Sequence, residues 1–269
     1  DLTFGTNGFY QKYAGTELAD SFTDSSVATD SDGSQTVLLM HCDSGTFPDS
    51  SWDANAVQVS GGTTDSTSVK KFGAASAEFD GTADYLQVPT AGTTAAFGFD
   101  TGDWTVDFWA RSKSTSSGYE TMMELGNSAN ANGIWITKYS SENFYVSARN
   151  GDNTQYTFTT ATNTFVVDTW YHVALVKDGT TLRFFIDGTQ SNSTTVTGTF
   201  GPGSGSYLAF GDQWSTGTLG FDGYLDEIRI SKGVARWTEA FTPPTSEYVL
   251  PHEITANGDV ANTRAIGDF

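Results

Sequence analysis

The run from Tyr171 to Gly188 constrains this chain more than any other. Tyr171 to Lys177 is apolar on both faces, with Val173 and Leu175 on one side and His172, Ala174 and Val176 on the other. That pattern predicts a central strand covered on both sides. Asp178-Gly179 then predicts a hairpin turn into Leu182 to Asp187, and Asp187-Gly188 predicts a second, because an Asp-Gly pair accepts the positive φ angles of tight hairpins. Trp104 to Arg111 repeats the period of two: Val106, Phe108 and Ala110 share one face, and Asp107, Trp109 and Arg111 share the other. Such segments fold as an antiparallel meander. The 29 Gly, frequent Ser and Thr, and 14% aromatic content fit many short strands joined by turns, and little of the chain reads as helix.

A length of 269 residues suits one large β-sandwich with flanking pieces. Residues 1–35 are largely polar and rich in Gly, Ser and Asp, with an aromatic cluster at Phe4, Phe9, Tyr10 and Tyr13, and read as an N-terminal arm or the end of a preceding unit. A strand from Val37 to Cys42 opens the main domain, 36–248, and Phe47-Pro48-Asp49 turns into a second run, Ala56 to Val59. The phrase Phe-x-Asp-Ser-Ser occurs at both Phe22 and Phe47, and Glu253 to Asp259 is similar to Gln58 to Gly62. Residues 249–269 therefore read as a C-terminal arm or the start of a further repeat. The chain starts at Asp1 rather than Met, as a processed product or a piece of a longer protein would.

Thirteen basic against 32 acidic residues leave a formal charge of −19, which repels phosphates and anionic lipid and argues against nucleic-acid binding. No apolar run approaches the roughly 18 residues of a membrane span, so membrane insertion is not expected either. The single Cys42 has no intramolecular disulfide partner and, after Val37-Leu38-Leu39-Met40, reads as a small buried residue.

Four phrases stand in order: KKFGAASAEFDGTADYLQVP from Lys70, GDWTVDFWARS from Gly102, WYHVALVKDGTTLRFFIDG from Trp170 and GYLDEIRISKGVARWTEAFTPP from Gly223. Together they resemble the LamG-like, concanavalin A-like jelly-roll domain. The resemblance implies an all-β, antiparallel two-sheet sandwich most often used to bind carbohydrate or another surface. In that family the turn Lys232 to Trp237 packs back on the sandwich before Phe241-Thr242-Pro243-Pro244. The last phrase is similar to versions in phage tail and virion proteins and in bacterial surface proteins.

Sugar binding needs aromatic faces beside amides and carboxylates. Two stretches supply them: Asn132, Trp135 and Tyr139, and Asp212, Gln213 and Trp214. Trp214 lies among Gly, Ser, Thr and Asp in a predicted loop, whereas Trp135 alternates with Ile134 and Ile136 and reads as a packed ring. Tyr145 and Tyr156 are secondary candidates on strands lining an open face. The resemblance makes the strand after the first phrase and the last long strand neighbours, so that Asp80, Asp84 and Asp226 become candidate Ca²⁺ ligands.

Glycosidases of the same fold carry Glu-x-Asp-x-(x)-Glu on one strand, a signature this chain does not contain. Asp226 and Glu227 are adjacent, which in a regular strand sends them to opposite faces. His41, His172 and His252 lie far apart in sequence, and His172 reads as a structural imidazole within its strand. The expectation is a non-enzymatic virion surface protein, of tail, fibre or capsid, that binds host-surface polysaccharide and contacts other virion subunits as a homo-oligomer. A decoration or connector protein of the virion without a glycan ligand is the first alternative, and a bacterial adhesin or the binding module of a larger polysaccharide-active enzyme, secreted or on a bacterial surface, is the second.

Overall fold

The computed structural model describes residues 33–250, except 90–93, 116–117, 127–132, 141, 163, 203–206 and 214–218. The chain enters through β1 (Thr36–Met40), β2 (Gln58–Ser60), β3 (Thr64–Ser66), β4 (Ser76–Asp80) and β5 (Tyr85–Pro89). The short helix α1 (Thr94–Phe97) leads to β6 (Trp104–Ser112), β7 (Glu120–Leu125), β8 (Ile134–Tyr139), β9 (Asn143–Arg149) and β10 (Gln155–Thr159). Then come β11 (Tyr171–Asp178), β12 (Thr181–Ile186), β13 (Thr189–Thr195), β14 (Tyr207–Phe210) and β15 (Asp222–Lys232).

These strands form two antiparallel sheets. The eight-stranded sheet runs β13-β12-β11-β6-β15-β4-β3, with β1 also paired to β15, and the seven-stranded sheet runs β10-β9-β8-β7-β14-β5-β2. The meander read from Tyr171 to Gly188 is β11-β12-β13, with Asp187 and Gly188 both at positive φ. Strands change sheet repeatedly along the chain, so side chains distant in sequence meet in the layer between them. Val106, Phe108, Val173, Leu175, Leu225 and Ile230 on one inner face meet Met123, Ile134, Ile136, Phe144, Val146 and Leu208 on the other, all fully or almost fully buried.

The register of β6 follows the expected alternation: Val106, Phe108 and Ala110 enter this core while Asp107 and Trp109 take the other face. Cys42 is buried and unpaired, as its apolar neighbours predict. One expectation fails at β15. A bulge between Asp226 and Arg229, with Glu227 at φ 48°, breaks the pleat. It brings both Asp226 and Glu227 to the outer side of the eight-stranded sheet instead of opposite faces, because an extra residue shifts the alternation by one.

Candidate functional site

The two sheets present very different outer faces. On the eight-stranded sheet, the segment after β15 folds back as the Lys232 to Trp237 phrase predicts. Arg236 donates to Ser231 Oγ (2.7 Å) and Thr36 Oγ1 (3.0 Å), and Trp237 stacks on Phe241 at 4.0 Å. This pair covers Ala174, Val176 and Phe185. Gly188 allows the close approach: its carbonyl accepts Phe241 N–H at 3.0 Å, and a Cβ there would overlap the Phe241 carbonyl.

Beneath the segment lies a buried polar network. Arg229 donates from Nε and Nη2 to the two oxygens of Asp107, at 3.0 and 3.2 Å, and its guanidinium lies 3.6 Å from the centre of the Tyr248 ring. The Tyr248 hydroxyl donates to Asp107, and His172 Nε2 lies 3.3 Å from the same hydroxyl. Tyr248 N–H donates to Glu227 Oε2 at 2.8 Å, and His41 pairs with Glu227 Oε1 at 2.8 Å. Burial alone would raise the Asp107 carboxyl, but the Arg229 and His172 charges outweigh it and hold it well below the usual carboxylate range. His172 is therefore the structural imidazole its mid-strand position predicts. His252 lies outside the described residues.

The seven-stranded sheet is built differently. Trp135 and Tyr139 on β8 and Tyr145 on β9 point outward and are half-buried. Tyr119, just before β7, lies against all three, with ring centres 5.1, 4.3 and 5.4 Å away. Contacts of this kind contribute about 0.5–1.5 kcal/mol each beyond simple burial and hold the rings as one patch. The expectation that Trp135 is a packed core ring is thus corrected. Ile134 and Ile136 take the inner face, and alternation leaves Trp135 outside. Tyr156 goes the other way, packing against the core while its hydroxyl accepts Thr197 N–H.

The described residues of the two predicted stretches lie near each other. Trp135 Nε1 donates to Thr121 Oγ1 at 3.0 Å, and Thr121 N–H donates to the Leu219 carbonyl at 2.7 Å, which ties the end of the 213–219 loop beside the patch. At the other end, Gln213 Nε2 lies 3.5 Å from Glu124 Oε1, and Glu124 pairs across the strands with Trp135. Tyr207 Oη donates to Glu124 Oε2 at 3.2 Å. Asp212 is fully buried and does not face a ligand. Its Oδ1 accepts Gln213 and Leu219 N–H at 2.6 and 3.1 Å and so staples the loop, while burial raises its carboxyl, with the Asp84 charge adding to the rise. Trp214 and Asn132 lie outside the described residues. Sequence reasoning missed Tyr119 and Glu124, which reach the patch only through the pairing of β7 with β8.

Asp80, Asp84 and Asp226 do not converge. Asp80 and Asp84 share a turn, where Asp84 Oδ2 accepts Asp80 N–H at 3.0 Å and Oδ1 accepts Gly62 N–H. β4 does pair with β15, as the resemblance implies, but Asp80 pairs with Asp222, which leaves Asp226 a full four positions along the strand. Asp226 instead accepts N–H groups of Lys71, Phe72 and Glu227 at 2.8, 3.2 and 2.9 Å. Burial pushes its carboxyl up to about 8 against those donors. The trio does not fit a shared Ca²⁺, which needs several free, ionised oxygens at one point. Among the described residues no group of three or more His, Cys, Asp or Glu side chains is placed to hold a metal.

An antiparallel sandwich of two sheets between which the chain crosses repeatedly is an architecture of the jelly-roll type. The chain belongs to the concanavalin A-like lectin/glucanases superfamily, whose family model matches residues 80–240. Among solved structures, the binding domain of Paraclostridial Mosquitocidal Protein 1 has a TM-score of 0.59 at 14% identity, over 78% of this chain and 50% of that chain. Domain 4 of AbnA, a GH43 extracellular arabinanase from Geobacillus stearothermophilus in complex with arabinotriose, gives 0.55 at 17% identity, over 75% and 94%. The receptor binding domain of botulinum neurotoxin D gives 0.59 at 12% identity, over 76% and 50%. The present chain thus spans about half the length of the two toxin chains. No curated protein matches it by sequence.

Proposed function

We propose that this domain is a non-catalytic carbohydrate-binding module that uses the aromatic patch of its seven-stranded sheet and is displayed on a phage virion, as part of a tail, fibre or capsid. The observation that carries the reading is the cluster of Tyr119, Trp135, Tyr139 and Tyr145, half-buried on an open face beside hydroxyl and amide side chains. Rings held this way offer C–H stacking surfaces without having to be ordered on binding. The arabinanase domain in complex with arabinotriose supports a sugar ligand, and the Arg229 to Arg236 phrase followed by Phe-Thr-Pro-Pro supports the virion setting. Binding is shallow, and many copies on a particle raise weak single-site affinity.

The test is retention of the purified protein on host envelope polysaccharides, presented in many copies, with Trp135→Ala as control and with EDTA in a parallel arm. Retention lost in Trp135→Ala is expected. EDTA is expected to leave retention unchanged because the aspartate trio does not converge; loss with EDTA would locate a cation elsewhere. No retention in any format overturns the reading. It would favour a connector role, for which the polar, largely exposed edge strand β13 is the supporting feature, since an open edge accepts a strand from a neighbouring subunit.

A further inference from the structure

We propose that the seven-stranded face takes an uncharged polysaccharide and discriminates against glycans bearing carboxylate, sulfate or phosphate. This rests on the carbohydrate reading above and adds the chemical class of the ligand.

An acidic sugar is recognised by a guanidinium or ammonium group presented to it, often with bidentate geometry. Among the described residues, the two cations nearest the patch are already engaged. Lys138 lies between Thr137 and Tyr139 in sequence, yet alternation carries its side chain through to the inner side, where it is fully buried. There its Nζ donates to Ser112 Oγ at 2.8 Å and to the Ser114 carbonyl, and lies 3.4 and 3.6 Å from Glu120 and Glu142. Arg149 is on the outer face of β9, but its terminal nitrogens are held by Asn153 Oδ1 at 3.1 Å and Gln155 Oε1 at 2.9 Å.

The cross-strand neighbours of the rings are mostly neutral: Ser147 pairs with Trp135, Thr137 pairs with Tyr145 and with Thr121, and the acidic Glu124 is the other partner of Trp135. Apart from Arg149, the charged groups nearby that are not buried cations are acidic: Glu124 lies beside Gln213, and Glu120 and Glu142 border the lysine. A chain charge of −19 adds long-range repulsion of polyanions. Ring stacking and hydrogen bonds from neutral groups remain, and these suit an unmodified hexose or pentose polymer.

The experiment compares uronic-acid capsular polysaccharides with their carboxyl-reduced forms, alongside neutral arabinan, dextran and mannan, by affinity electrophoresis of the intact protein. The expected result is that a neutral or carboxyl-reduced polymer binds at least about tenfold tighter than its acidic counterpart, with less than about twofold change between about 0.02 and 0.5 M NaCl, since no ion pair is screened. Arg149→Gln is expected to stay within about twofold of the parent, whereas Trp135→Ala and Tyr139→Ala, checked for folding by circular dichroism, lose binding. An acidic polymer bound as tightly as its reduced form or more tightly, with affinity that falls as salt rises, overturns the proposal while leaving the carbohydrate reading intact. Absence of binding to every polymer overturns both.

Discussion

The outer face of the eight-stranded sheet and that of the seven-stranded sheet start from the same backbone and end with opposite uses. The first concentrates charge, with Asp107, Arg229, Glu227, His41 and His172, and then closes over it with Trp237, Phe241 and Tyr248. The second carries four aromatic rings among mostly neutral polar groups and leaves the rings half-buried. Charges in this protein secure a lid, because a buried carboxylate is tolerated only when it is paired and hydrogen-bonded. Rings make a contact surface, because they combine large area with low conformational freedom.

The sharpest way to break this contrast is Arg229→Ala. It leaves the Asp107 carboxylate buried without its bidentate partner, and a loss of about 3–5 kcal/mol in urea unfolding is expected. Where the variant stays folded, sugar retention should be unchanged; coupled loss of both would show that the faces are not independent. Trp135→Ala is the reciprocal change, with an expected cost in binding of about 2 kcal/mol or more and a much smaller cost in unfolding free energy.

A pH series sharpens the comparison further. The Asp226 carboxyl is raised from an unfolded value of 3.8 to about 8, so the native state holds a proton that the unfolded chain releases. This contribution is fully present below about pH 4, falls as pH rises toward about 8 and then levels off, with a slope of at most about 1.4 kcal/mol per pH unit. Unfolding free energies from pH 5 to 9 should show this decline, and Asp226→Asn should flatten it; an unchanged slope in the variant would assign the dependence to another group. The smallest expected effect is that of Tyr248→Phe, which removes one hydroxyl from the Asp107 network and should cost about 1–2 kcal/mol in stability with no effect on binding.

Much of the fold was legible because its strands are local signals. The apolar faces of Tyr171 to Lys177 and the two Asp-Gly pairs specify the β11-β12-β13 meander from within 25 residues, and the alternation in β6 assigns Asp107 and Trp109 to the outer face. The site was only half legible. Trp135 and Tyr139 were identifiable as rings beside amides, and Asp212 and Gln213 as loop residues, but that these stretches adjoin each other depends on Thr121 and Glu124 lying between them. The aspartate trio failed for a related reason: β4 and β15 are neighbours, as expected, but in a register that pairs Asp80 with Asp222.

By itself, the sequence determined the class of structure, the β11-β12-β13 meander, the apolar side of β6 and the overall charge. Those properties depend on residues within a few positions of one another and on simple sums. Only the tertiary structure decided which outer face is sealed and which is open, that the bulge at Asp226 and Glu227 turns both acids to one side, and that Lys138 points away from the patch its neighbours form. Those outcomes depend on register and on the path of the segment after β15, which are set by contacts between residues more than a hundred positions apart, such as Asp107 with Arg229 and Tyr248.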